Sequence, residues 1–193
     1  MAAAGKVLTG FSLPYVALYA ESSGTITYSS GQKLARGVEM TISPETSDDN
    51  TFYADNQSAE SASGTFTGGT LSVTVDGLFD TAEKLIYGLP AASSNWYSYD
   101  DDQAVPYVGF GAIARYMSDG VTTYTAIVLP KVRFNALELS AATQEDEIDW
   151  QTQALEATIF RADDAKHTWR KLSEPQTTEA AAEALIKTMF SIT

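Results

Sequence analysis

Apolar and polar residues alternate with a period of two along much of this 193-residue chain. Val38, Met40 and Ile42 alternate with Glu39 and Thr41, and Leu71, Val73 and Val75 alternate with Ser72, Thr74 and Asp76. Successive side chains of a strand point to opposite faces, so each run predicts a strand with one buried and one wet face. A chain patterned this way folds as a sheet over a core. Hydrophobic residues make up 44% of it, enough for that core to form.

Charge is distributed unevenly over the same region. From Gly37 to Glu83 there are nine acids (Glu39, Glu45, Asp48, Asp49, Asp55, Glu60, Asp76, Asp80 and Glu83) and no lysine or arginine. The whole chain carries a formal charge of −13. That sign argues against nucleic-acid binding, which draws its affinity from cations that displace counterions. It argues equally against docking on an anionic membrane surface. The absence of cysteine excludes thiol catalysis, disulfides and cysteine-ligated zinc. No window approaches the roughly 18 apolar residues of a membrane span, and the first residues carry no apolar run of signal-peptide length. The expectation is a soluble chain made in a cytoplasm.

Further strands and turns follow from local signals. Leu13 to Tyr19 is an apolar, aromatic-rich run, and the turn Ser22-Ser23-Gly24 leads into a short strand over Thr25-Ile26-Thr27-Tyr28. Gly68-Gly69 reads as a tight connection ahead of the 71–75 strand. Asp80-Thr-Ala-Glu83 reads as a capping box opening a helix over about 80–87, with Gly88 placed to end it and Pro90 beyond. Ala91 to Gln103 is a polar loop holding Trp96, Tyr97, Tyr99 and Asp100-Asp101-Asp102.

Val105–Met117 and Val121–Phe134 are strand patterns joined by Ser118-Asp119-Gly120, a strong hairpin signal. Pro130 implies that the second strand breaks there or runs along an edge. Ile148 to Phe160 is the last long strand, and its apolar phase changes near Ala154, as a β-bulge would produce. Lys166 to Leu172 is a short strand candidate. Glu174 to Phe190 reads as a terminal helix with Leu185, Ile186, Met189 and Phe190 on one face. The predicted fold is mainly β, a sandwich or barrel with one flanking helix and a C-terminal helical extension. The predicted divisions are a β domain over 1–172, with an N-terminal arm over about 1–12 and a long loop over about 43–57, and the extension over 173–193.

The residues offer little catalytic chemistry. The single histidine, His167, removes two-histidine metal motifs and reads as a partly exposed strand residue. Gly109-Phe-Gly111-Ala-Ile-Ala114 matches the dinucleotide fingerprint G-x-G-x-x-A, but Asp119-Gly120 and β-branched residues follow where a helix must begin. Those glycines read instead as permitting close packing or strand bending. The clusters Asp48-Asp49, Asp100-Asp101-Asp102 and Glu145-Asp146-Glu147 with Asp149 lack calcium-loop spacing and read as solvated loops. No catalytic, metal-binding or cofactor-binding residue is assigned. The loop Trp96-Tyr97-Ser-Tyr99 is open to three roles: stacking on a sugar, sitting in a protein interface, or covering one end of the core.

Several segments in succession resemble one family. They are Phe11-Ser-Leu-Pro-Tyr-Val-Ala-Leu-Tyr19, Tyr28-Ser-Ser-Gly-Gln-Lys-Leu-Ala-Arg-Gly-Val38, Ser47-Asp-Asp-Asn-Thr-Phe-Tyr-Ala-Asp-Asn56, Gly64-Thr-Phe-Thr-Gly-Gly69, Leu71-Ser-Val-Thr-Val-Asp-Gly-Leu78, Val108-Gly-Phe-Gly111 and Asp149-Trp-Gln-Thr-Gln153. Taken in order from about Phe11 to Trp169, they resemble siphophage major tail proteins, the tail-tube subunits. The resemblance implies a tail-tube-type β-sandwich whose copies close into rings, six to a ring, and stack into the tube that DNA crosses during ejection. It also implies a non-enzymatic virion protein, synthesised in the host bacterial cytoplasm. Its partners would be its own copies, a tape-measure protein, the tail terminator, distal tail proteins and a tail assembly chaperone. DNA would pass through the lumen without specific binding, and an acidic lining serves that by repelling phosphates.

On this reading the segment from Ser43 to Gln57, with Glu45, Asp48, Asp49, Asn50 and Asp55, is a candidate contact between rings. The helix face Leu185, Ile186, Met189 and Phe190 docks on its own domain or on a neighbouring subunit. The alternatives are a carbohydrate-binding β-sandwich module, a hydrolase using the acidic clusters, and an inner-tube protein of the type VI secretion kind.

Overall fold

The alternating runs form strands, and the strands assemble into one antiparallel sheet. The computed structural model describes residues 5–48, 50–54, 57–62, 64–101, 103–143 and 150–192, with backbone placement alone over 50–62. In chain order the elements are β1 (Val7–Ser22), β2 (Thr25–Lys33), β3 (Gly37–Thr46), β4 (Asn50–Ala54), β5 (Gln57–Ala62), β6 (Phe66–Val75), α1 (Asp80–Tyr87), β7 (Val108–Ser118), β8 (Val121–Phe134), β9 (Gln153–Ile159), β10 (Lys171–Leu172) and α2 (Glu179–Met189). The main sheet runs β2-β1-β7-β8-β9-β6-β3, with β10 added beside β8, and β4 and β5 pair as a separate hairpin.

Each long strand divides its side chains between two faces. Val16, Phe110, Ala112, Leu129, Val132, Leu71, Val73, Leu155 and Ile159 point inward, and Ala82, Ile86 and Tyr87 of α1 join them in one core. The sheet curls far enough for Phe11 of β1 to reach the backbone of Gly37 on β3. A second cluster lies on the outer face, where Tyr15, Ala17, Ile113, Ala126 and Val128 meet Ala182, Ile186 and Phe190 of α2.

Pro130 neither breaks β8 nor lies on an edge strand. Val108 pairs Val132 while Phe110 pairs Leu129, so one extra residue of β8 bulges at Pro130–Lys131. The bulge absorbs the missing N–H. It also changes the strand's parity, so that Leu129 and Val132 both face the core. The Asp119–Gly120 turn forms as expected, with φ of 49° and 76°, both left-handed as a type I′ hairpin requires.

The structure departs from the sequence expectations at several places. Residues 7–12, expected in an arm, are the first half of β1 and pair with β7. Of the described residues over 43–57, most are not in a loop: 43–46 close β3, Asn50–Ala54 form β4 and Gln57 opens β5, because backbone pairing overrides their polar composition. Gly68 and Gly69 lie within β6 opposite Glu45 and Pro44, and a Cβ on Gly69 would meet the Ser43 carbonyl oxygen at 2.6 Å. The capping box does not form. Phe79 is the N-cap and offers no side-chain bond, and the Ala82 and Glu83 amides bond its carbonyl. Gly88 ends α1 as expected, in the left-handed conformation.

β9 and β6 pair without interruption from Gln153 to Ile159, so no bulge lies near Ala154. The change of phase marks the start of the strand, since Trp150 precedes it in solvent and Ile148 lies outside the described residues. His167 sits in a turn with φ of 51° rather than on a strand. Residues 173–192 pack as part of the domain: α2 lies on β7 and β8.

Candidate functional site

The outer face of the sheet has two unlike halves. Over β1, β7 and β8 it is covered by α2. Gly109 and Gly111 form the floor there: a Cβ on Gly111 would stand 2.8 Å from Ile186 Cγ2, and one on Gly109 would stand 2.8 Å from Phe190 Cε1. These are the glycines of the G-x-G-x-x-A stretch, and close packing is their role. Thr178 caps α2, its hydroxyl accepting from the Ala181 amide. At the other side of the helix Tyr15 donates to Glu183 Oε1 at 2.5 Å, Lys187 pairs with the same oxygen at 2.8 Å, and Ser12 donates to Glu179. Lys187 and Tyr15 together hold the Glu183 carboxyl below the usual glutamate range. Burial, then the bond to Glu183, pushes the Tyr15 hydroxyl well up.

Over β3, β6 and β9 no described residue covers the outer face. The register sets Glu39 beside Thr74 and Ala154, Thr41 beside Ser72 and Glu156, Ser43 beside Thr70 and Thr158, and Glu45 beside Gly68. The face is thus hydroxyl-rich, with three carboxylates: Glu39, Glu45 and Glu156. All three are exposed, and none makes an ion pair among the described residues. At its far corner Arg133, beside Thr158, turns its guanidinium to the rings of Tyr107 and Phe160. Beyond it Lys131 pairs with Asp163 at 2.6 Å and lies 4.4 Å from the Tyr107 ring centroid. Tyr19 donates to the same Asp163 oxygen, at 2.9 Å. The Lys131 and Tyr19 hydrogen bonds hold the Asp163 carboxyl below its ordinary range. Burial foremost pushes Tyr19 up to about 12.

Among the described residues the sheet's main path ends in β2 and β3, each paired on one side only, as is the two-residue β10 beside β8. Such edges present unpaired N–H and C=O groups. Pro44 on β3 is tolerated there, since an edge strand has bonds to spare.

The residues singled out from sequence fall in several places. Glu45 points outward from β3, Asp48 is exposed just after it, and Asn50 opens β4; Asp49 and Asp55 lie outside the described residues. Of the helix face, Ile186 and Phe190 are fully buried against the chain's own sheet and offer nothing to a neighbour. Met189 is half-buried and Leu185 exposed. Trp96 is 77% exposed, so the aromatic loop does not cover the core. Its Tyr99 donates to Glu83 at 2.9 Å, and Lys84 lies over the Tyr97 ring. His167 faces the Ala162 carbonyl oxygen at 3.4 Å. Among the described residues no group of acids and histidines converges to hold a metal ion, and no helix is long and apolar enough to cross a membrane. Asp102 and residues 145–149 lie outside those residues. Glu156 had no sequence signal beyond its place in an alternating strand. No family model matches this chain, and no curated protein matches it.

Proposed function

We propose that this chain is a structural subunit of a siphophage tail tube. Its copies form stacked rings around a channel that DNA crosses without being bound, and it performs no reaction. The observation that carries the reading is the bare face of β3, β6 and β9. It is wide, regular and uncovered by any described residue, with serine and threonine hydroxyls and the carboxylates of Glu39, Glu45 and Glu156. A channel wall for a polyanion needs those properties: carboxylates rather than cations across its width, Arg133 being confined to one corner and turned to its own rings, and a repulsive field reaching about a Debye length, roughly 8 Å at physiological salt. The open edges of β2 and β3 support the same reading, because pairing between copies removes two exposed edges at once. The resemblance over Phe11 to Trp169 supplies the family. The tape-measure protein, tail terminator, distal tail proteins and assembly chaperone are the partners proposed with it.

The test is negative-stain microscopy of the purified chain at high concentration. Hollow rings or tubes are the expected result. A chain that stays monomeric at every concentration and salt condition refutes the assignment. The carbohydrate-binding alternative draws on the exposed Trp96, Tyr97 and Tyr99, and retention of a monomer on immobilised glycans is the result that would favour it.

A further inference from the structure

Exposed large apolar side chains gather at two opposite ends of the β7–β8 hairpin. At its turn, where β1 begins, stand Val7, Leu8, Met117 and Val121. The register sets Val7 across from Met117 and Leu8 across from Tyr116. Lys6 and Arg115 flank them, the Lys6 ammonium 4.6 Å from the Tyr116 ring centroid, and neither has an ion-pair partner among the described residues. The turn adds one acid, Asp119. This tip is apolar and cationic.

The other end lies the length of β7 away, roughly 36 Å for eleven extended residues. There Leu139 is 81% exposed and Trp150, just ahead of β9, 84%. Tyr87, Tyr99, Val105, Leu137 and Leu139 line a hollow of about 510 Å³ beside α1. Glu83 lies on its wall, and two exposed acids are chain neighbours of its lining residues: Glu138 stands between Leu137 and Leu139, and Asp101 between Tyr99 and Gln103. Lys84, the cation on α1, is drawn over the Tyr97 ring. This end is apolar and anionic.

Contiguous apolar surface on a soluble chain marks a contact. Here two such surfaces exist, of opposite charge, toward opposite ends of the β7–β8 hairpin. Opposite charges select the partner and the orientation of docking. We propose that the two ends are halves of one self-contact: the cationic tip of one copy docks in the anionic hollow of a second. Such a head-to-tail contact is heterologous, and repeated without closure it builds a filament. The inference rests on the tube reading in taking a second copy as occupant. It goes further in assigning the contact between successive copies to these two ends instead of the polar segment 43–57.

The experiment compares the full-length wild type with two double charge reversals, by sedimentation velocity and negative-stain microscopy. One reverses the tip, Lys6→Glu with Arg115→Glu. The other reverses the hollow's rim, Asp101→Lys with Glu138→Lys. All four positions are exposed, and unchanged circular dichroism confirms folding. Each variant alone should associate about tenfold more weakly, since each faces like charge on its own copies. Mixed in equal amounts they should recover to within about threefold of wild type, because each tip now meets an opposite rim. Val121→Ser, which leaves the charges alone, should weaken association about threefold through lost apolar contact.

Either reversal assembling like the wild type, or a mixture that fails to recover, overturns the proposal. If wild-type tubes form and survive both reversals, the contact is wrong and the tube reading stands. If copies associate through these ends without rings or tubes, the contact stands and the tube reading falls. A wild type that never associates overturns both.

Discussion

The two halves of the sheet's outer face use the same strand geometry to opposite ends. Over β1, β7 and β8, glycines and small residues lower the surface and a helix fills the space. Over β3, β6 and β9, threonines, serines and glutamates raise a polar surface on which no described residue rests. The inward sides of both halves are equally apolar and share one core. The difference therefore lies outside the core. One half is built to be covered by its own chain, and the other is kept wet.

Substitutions in the covered half should be costly. Phe190→Ala empties the seat over Gly109 and Gly111 and should cost about 3–5 kcal/mol, read by chemical denaturation. Gly111→Val drives a branched side chain into Ile186 and should cost about 1–3 kcal/mol by overpacking. A Gly111→Val protein of wild-type stability would mean that α2 does not rest on this floor.

The polar edge of the helix seat should answer to pH. Glu183 is held below its ordinary range, so its contribution is present above about pH 4.3 and fades as pH falls below that. Tyr15 is raised, so its contribution is present below about pH 10 and fades as the pH climbs further. Docking of α2 should thus be firmest between those limits, measured by hydrogen exchange of the α2 amides. Tyr19 and Tyr99, both pushed up to about 12, add an alkaline loss of overall stability between about pH 10 and 12, away from the α2 seat. Tyr15→Phe should cost about 1 kcal/mol at pH 7 and reduce the alkaline loss without abolishing it. An alkaline limb of full size in that variant would show that Tyr15 does not report on the seat.

The bare half should tolerate change. Glu39→Lys and Glu156→Lys should each alter monomer stability by less than about 0.5 kcal/mol, because neither makes an ion pair among the described residues. If the face lines a channel, the same substitutions should let assembled protein retain double-stranded DNA at low salt, which the wild type releases. Equal DNA retention by variant and wild type would detach this face from the channel. A stability loss comparable to Phe190→Ala would break the contrast between the halves.

Much of the local structure was legible in the residues. The alternation over 71–75 and the Asp-Gly turn at 119–120 act within a few residues, and each formed where it was read. So did the glycine stop after α1. The alternation over 38–42 held for Met40 and Ile42 but not for Val38, which a shift of register beside Gly37 leaves 56% exposed. The capping box failed because the chain enters α1 one residue earlier than its side chains suggest, at Phe79. The supposed loop over 43–57 failed because polar residues pair as readily as apolar ones once a hairpin aligns them.

By itself the sequence determined that this chain is mainly β, acidic, and built of two-faced strands, since periodicity and charge are properties of neighbours along the chain. Only the tertiary structure decided which acids stand together. Glu39 and Glu156 lie more than a hundred positions apart, and only the pairing of β3 and β9 to β6 sets them on one face. It likewise decided that Ile186 and Phe190 belong to the domain's own packing, because the glycine floor receiving them lies on a distant strand. Register between remote strands is set by how a whole core closes, and a local pattern carries no record of it.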